Sequence, residues 1–153
     1  MRRPSRIIDP LPSLYDALVM TRLPLNENTI AILVDRFYEA VRANSEIGPV
    51  FNAAIENWSE HKQLLSSFWC SVALGTGTYR GFPMAVHRQH PIKATHFDQW
   101  LTLWRTTCTD VLEDSAAVRL IEYAERIGRS LRYGLGLCGR VGARPLGMPI
   151  VSG

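Results

Sequence analysis

The sequence predicts an all-α fold, and three observations predict it. Apolar residues recur at intervals of three and four through the middle of the chain, the spacing of one helix face. Glycines and prolines stand between those stretches and seldom inside them. No apolar/polar alternation of strand length occurs, and there are no repeats. A chain of 153 residues, 46% apolar and 20% charged, suits one domain with a real core. At that size roughly 70% of the unfolded surface can be buried.

The elements follow in order. Residues 1–26 hold four of the nine prolines (Pro4, Pro10, Pro12 and Pro24) and, apart from a helical stretch around Ser13 to Met20, read as an N-terminal extension. A first helix from about Glu27 to Arg42 puts Ile30, Leu33, Phe37 and Val41 on one face. Gly48-Pro49 ends that region, and a short helical piece from Val50 to Ile55 follows. Asn57 stands three residues before Glu60, the spacing of an N-terminal capping box. The helix it starts carries Trp58, His61, Leu65, Phe68 and Val72 on one stripe, and Gly75-x-Gly77 stops it. A loop to Gly81 leads to a short helix that begins at Pro83 and ends before Pro91. Thr95 and Asp98 repeat the cap spacing ahead of a helix that turns Phe97, Trp100, Trp104 or Leu103, Cys108 and Val111 inward. The last helix, about Ser115 to Tyr133, uses Val118, Ile121, Ile127 and Leu131, with Gly134 placed to end it. Gly134 and the residues after it hold six of the eleven glycines, so 135–153 read as a flexible tail and 27–134 as the domain proper.

The net charge of +3 and a pI near 9.0 invite a nucleic-acid reading until the charge is located. Residues 1–6 carry three arginines and residues 126–153 five, with no acid in either segment. The stretch 7–125 holds all fourteen acids against nine cations. The middle is acidic and the ends are basic, which argues against a groove-reading nucleic-acid surface. Asp9, Pro10, Pro12 and Asp16 interrupt what would be a signal-peptide core after Arg2, Arg3 and Arg6. No apolar run approaches the ~20 residues of a membrane span. Cys70, Cys108 and Cys138 are an odd, widely spaced set without C-x-x-C, so neither a disulfide framework nor a zinc ribbon is expected. A cytoplasmic monomer is the expectation.

All four histidines, His61, His87, His90 and His96, fall within 36 residues. A histidine on an apolar stripe, as His61 is, is most often a core residue bonded to a neighbour. His87 adds weight to another reading, because a short proline-bounded helix presents a side chain at a fixed angle, and the glycine loop lets it fold back beside the His61 helix. Zinc would want three or four close ligands that no spacing here supplies. Haem needs one nitrogen ligand, broad apolar walls and few polar groups, and Phe37, Phe51, Phe68, Trp69, Phe82, Phe97, Trp100 and Trp104 could wall it. Gly75-x-Gly77 with Gly81 lacks the preceding strand and the G-x-G-x-x-G spacing of a dinucleotide loop, and a G-x-S-x-G elbow, H-E-x-x-H and a P-loop are missing from the sequence.

The order Phe37-Tyr38, Gly48-Pro49-Val50-Phe51, Trp58, Glu60-His61-Lys62, Phe68-Trp69, His87 and Phe97-x-x-Trp100-Leu101 resembles that of group III truncated haemoglobins, over about residues 27–133. The resemblance implies a two-over-two helical sandwich around haem b. It makes His87 the axial iron ligand and Tyr38, His61 and Trp100 the polar set facing it. Leu65, Phe68, Trp69 and Phe51 would line the pocket, with Phe37 behind Tyr38. Two departures stand out. Leu64 lies one turn after His61, where a cation would suit a haem propionate, so Tyr79, Arg80, Arg88 or Lys62 must serve. His90-Pro91 replaces a more apolar stretch, which leaves His90 as an alternative axial ligand. The implied function is binding of O2, NO and other diatomic ligands. With several donors around the ligand its release would be slow, which points to redox or reactive-species chemistry, such as nitric oxide dioxygenase or peroxidase activity fed by an electron donor, rather than bulk oxygen transport. The rivals are a haem-free helical module that docks an acidic partner, and a haem sensor or transfer protein.

Overall fold

Asn26 caps the first described helix. In a computed structural model, which describes residues 22–81 and 83–137, its carboxamide accepts from the Thr29 N–H at 2.9 Å. The Thr29 hydroxyl returns the bond to the Asn26 N–H at 2.9 Å. This reciprocal cap starts α1, Glu27–Ala43. Pro49 lies in the first turn of α2, Gly48–Ala54, where its missing N–H costs nothing. Gly48-Pro49 therefore begins a helix rather than ending a region. The Asn57 carboxamide accepts from the Glu60 N–H at 3.0 Å and starts α3, Trp58–Leu74, which Gly75 closes at φ +73°.

The short α4 runs Pro83–His87, as its bounding prolines predict. The start of α5, Ala94–Val111, differs from expectation: Lys93 is the cap residue, and His96 Nδ1 accepts the Lys93 N–H at 3.0 Å in place of a Thr95–Asp98 box. A ring nitrogen at the third helical position meets the same orphan donor that a carboxylate would. The last helix, α6, spans Asp114–Gly134, and Gly136, not Gly134, takes the left-handed conformation at φ +77°. Gly134 stays helical and lies under the tip of the Met84 side chain.

α1 pairs with α3 and α5 with α6, and the first pair lies on the second, chiefly through α1 against α5. This is the two-over-two arrangement. Its centre is aromatic: Trp69 and Trp104 stack at 4.4 Å, Phe37 meets Trp104 edge-on at 4.8 Å, and the Trp104 indole N–H donates to the Leu120 carbonyl at 3.0 Å. Ile30, Leu33, Phe37 and Val41 are all fully buried, and Trp104 rather than Leu103 takes the central place on α5. α6 buries Ala117, Leu120, Ala124, Gly128 and Leu131, a seam of mostly small residues. Val118, expected inside, is 53% exposed, because Ala117 takes the seam and the next residue on a helix points about 100° away. Leu23 adds a single parallel bridge to Leu112, with Leu23 N–H donating to the Val111 carbonyl and Glu113 N–H to the Leu23 carbonyl, both at 2.9 Å.

Arg126, Arg129 and Arg132 belong to α6 and not to a tail. Arg132 pairs with Asp98 at 3.1 Å and lies over Phe97, while Arg126 lies over Tyr123. Part of the basic end is therefore folded surface. The stretch Ser13 to Met20, Phe82, Cys138 and the residues after it lie outside the described residues. Cys70 and Cys108 are free and buried. Among the described residues no helix is long and apolar enough to cross a membrane.

Candidate functional site

The apolar stripe of α3 packs against the core only in part. Trp58, His61, Leu65, Phe68 and Val72 are only half-buried, while the buried residues of α3, Trp69, Cys70 and Ala73, face the core beside that stripe. Most of the stripe also walls a cavity of about 290 Å³. α2 contributes Val50, Phe51 and Ile55, α4 Pro83, Val86 and His87, and α6 Ile127 and Leu131. A space of this size with mostly apolar walls and a few polar groups is the form of a small-molecule or cofactor site.

The polar groups are those the sequence singles out. Tyr38, at 3% exposure, meets the His61 ring edge-on at 5.3 Å and the Trp58 ring at 5.7 Å. Phe37 backs Tyr38 at 4.7 Å and meets Trp100 at 6.0 Å. Burial pushes the Tyr38 hydroxyl far above its usual titration range, with the Trp100 indole N–H acting weakly the other way. The hydroxyl therefore keeps its proton and can donate it. Burial lowers the His61 pKa, and a positive charge on His87 would lower it further, so His61 favours its uncharged form at neutral pH.

His87 Nδ1 lies 2.6 Å from the Pro83 carbonyl, one turn back on α4. A carbonyl only accepts, so Nδ1 carries the proton and Nε2 keeps its lone pair. That arrangement fixes the tautomer and orients the ring as a nitrogen ligand. Among the described residues no group of three or more His, Cys, Asp or Glu side chains could hold a bare metal ion.

Tyr38, Phe51, His61, Leu65, Phe68, Trp69, Tyr79, His87 and Trp100 all line the cavity. Three expected partners do not. Arg80 and Arg88 are exposed and absent from the wall, and Lys62 points away, to Asp35 at 2.8 Å and Glu39 at 2.6 Å. Lys62 follows the cleft-facing His61, and successive helical residues point about 100° apart. His90 does line the cavity, and so does His96. Ile92 was missed, since no periodic pattern reaches into the short connection it occupies, and Ile55 was expected only as the end of the short helical piece. Ile127 and Leu131 were expected as core, and the same inward face of α6 supplies cavity wall.

Comparison with known proteins gives a consistent picture. Residues 14–127 match the family described as bacterial-like globin. The chain is 34% identical over 108 residues to a group 3 truncated haemoglobin of Campylobacter jejuni, covering 67% of this chain and 85% of that protein. The structure is similar to the crystal structure of a group III truncated haemoglobin from Campylobacter jejuni, with a TM-score of 0.72 at 30% identity over 75% of this chain and 95% of that one. It is also similar to a thermostable haemoglobin of the actinobacterium Thermobifida fusca, with a TM-score of 0.61 at 27% identity over 78% and 95% of the two chains.

Proposed function

The chain belongs to the bacterial-like globin family, as a truncated haemoglobin of group III, and on that premise we propose that it binds haem b and uses it for redox chemistry on O2, NO and related diatomic molecules. The observation that carries the reading is His87: a cavity-lining imidazole whose Nδ1 is already committed to the Pro83 carbonyl, opposite a half-buried apolar stripe. The residues present fit the cofactor. Leu65, Phe68, Trp69, Phe51 and Ile127 offer apolar walls broad enough for a porphyrin face, and His87 Nε2 offers the axial nitrogen. Bound haem supplies an iron centre that takes up a diatomic molecule reversibly and exchanges single electrons with it.

The chain's own groups decide how such a ligand is held. The Tyr38 hydroxyl and the Trp100 indole N–H donate hydrogen bonds to a ligand that gains negative charge, and neutral His61 offers a third donor. Two such bonds at about 0.5–1.5 kcal/mol each slow release by a factor on the order of ten to a hundred. A carrier has to unload, so slow release favours turnover over transport: nitric oxide dioxygenation or peroxide handling, with electrons from an external donor. With the nearest cations turned away, Tyr79 and the cavity-lining His90 and His96 are the groups left at the wall for the propionates.

An absorption spectrum of protein supplied with haem tests the reading. A Soret band is expected in wild type and in His90→Ala, and its loss or marked shift in His87→Ala. A wild-type protein with no such band would leave the haem-free binding module as the better account.

A further inference from the structure

The exposed side of α1 carries Asp35, Glu39 and Arg42, a stripe at helical spacing that grips the first turn of α3 at two points. The Lys62 ammonium lies 2.8 Å from the Asp35 carboxylate and 2.6 Å from that of Glu39. Arg42, itself 3.2 Å from Glu39, lies over the Trp58 ring at 5.0 Å. Trp58 and Lys62 are one turn apart, and His61, beside them, faces the cleft with its ring against Tyr38 at 5.3 Å.

This is more than a loose surface pair. The Lys62 side chain is 19% exposed. Burial works against its charge, yet the two carboxylates outweigh burial and hold the ammonium above its usual range. The hydrogen bond from Lys62 holds the Glu39 carboxyl below its own. The fully buried residues of the helix all lie in its last six positions. Its first turn is held by partly buried contacts, Trp58 lying against Tyr38 at 5.7 Å and donating its indole N–H to the Asn52 carboxamide at 3.2 Å, and the ionic clamp adds to these at the end that carries His61.

We propose that Lys62 is a positioning residue of the diatomic site: by clamping the first turn of α3 to α1 it holds His61 over Tyr38 and sets how readily that side of the cleft opens. The proposal rests on the cleft being a diatomic site, but the clamp itself can be read without haem.

The test compares haem-loaded wild type, Lys62→Met and Lys62→Arg, each with His61 present and in a His61→Ala background. Lys62→Met is expected to speed O2 release and CO entry about threefold to fivefold where His61 is present, the scale of a partly exposed ion pair. In the His61→Ala background it changes neither rate, and Lys62→Arg keeps the wild-type rates. Raising NaCl to about 1 M should move wild type in the Lys62→Met direction, because screening weakens the same pairs. Amide hydrogen exchange should quicken across residues 58–65 in Lys62→Met and stay unchanged across 69–74. Equal rate changes in both backgrounds, no change in either, or unaltered exchange at 58–65 overturns the proposal. Protein that takes up no haem refutes the functional reading and leaves exchange to decide the clamp. If Lys62→Met does not fold, the wild-type salt titration and Lys62→Arg decide it.

Discussion

At the scale of single residues the site is a matter of which nitrogen and which proton face the cleft. His87 is oriented as a nitrogen ligand would be, because the Pro83 carbonyl, one turn back, takes its other nitrogen. His90 lines the same cavity but has no side-chain hydrogen bond of this kind in the described structure. Tyr38 and Trp100 differ in exposure, one at 3% and the other half-buried, and both bring donors to one wall. Tyr38→Phe and Trp100→Leu are each expected to raise the O2 release rate about twofold to tenfold, the value of one hydrogen bond, as stopped-flow or flash photolysis would show. Wild-type release rates in both variants would sink the donor argument. His61 and Trp100 stand out in the sequence on apolar stripes and His87 in a short proline-bounded helix, whereas Tyr38 and the donor roles came from the resemblance to group III truncated haemoglobins. Arg88 and Lys62 lie off the wall although each follows a histidine on it, because successive residues point in different directions.

At the scale of elements, small residues set how closely helices approach. Gly128 lies on the α5–α6 seam with room to spare: a Cβ there would meet only Leu101 Cδ1, at 3.9 Å. Gly128→Ala should therefore stabilise the protein by about 0.5–1 kcal/mol through helix propensity and a less flexible unfolded chain. Gly48 has no such room, since its Cβ would lie 2.8 Å from the Arg42 carbonyl oxygen and 3.1 Å from that of Val41. Backbone carbonyls at the end of α1 cannot swing away, so Gly48→Ala should cost about 1–3 kcal/mol. Urea unfolding of the two variants checks both signs. The sequence placed the six helices within a few residues, because capping side chains and prolines act locally. It misread the inward face of α6, where Val118 is exposed and Ala117 and Ala124 are buried. Hydropathy prefers valine to alanine inside, whereas two helices in close contact prefer alanine.

At the scale of the whole molecule, the two helix pairs meet through an aromatic centre on one side and wall a cavity on the other. Ligand bound in that cavity stabilises the fold by mass action. At a haem concentration 1,000-fold above its Kd the gain is about 4 kcal/mol, read as a rise in Tm. Most of that rise should vanish in His87→Ala. A Soret band without any rise in Tm would mean that haem adheres outside the cleft. Charge reads differently at this scale too. Three of the arginines that make the C-terminal end basic are part of the folded surface of α6, and one of them is paired with Asp98.

The sequence by itself determined the helices and most of their buried faces, because periodicity and caps are local properties, and it named the histidines and aromatic residues that could carry chemistry. Only the tertiary structure decided that the stripe of α3 walls a cavity as well as meeting the core, that His87 is held by Pro83, and that Lys62 turns outward to Asp35 and Glu39. An apolar face looks the same in sequence whether it meets another helix or a ligand. Where the opposite wall stands depends on contacts between residues far apart in the chain.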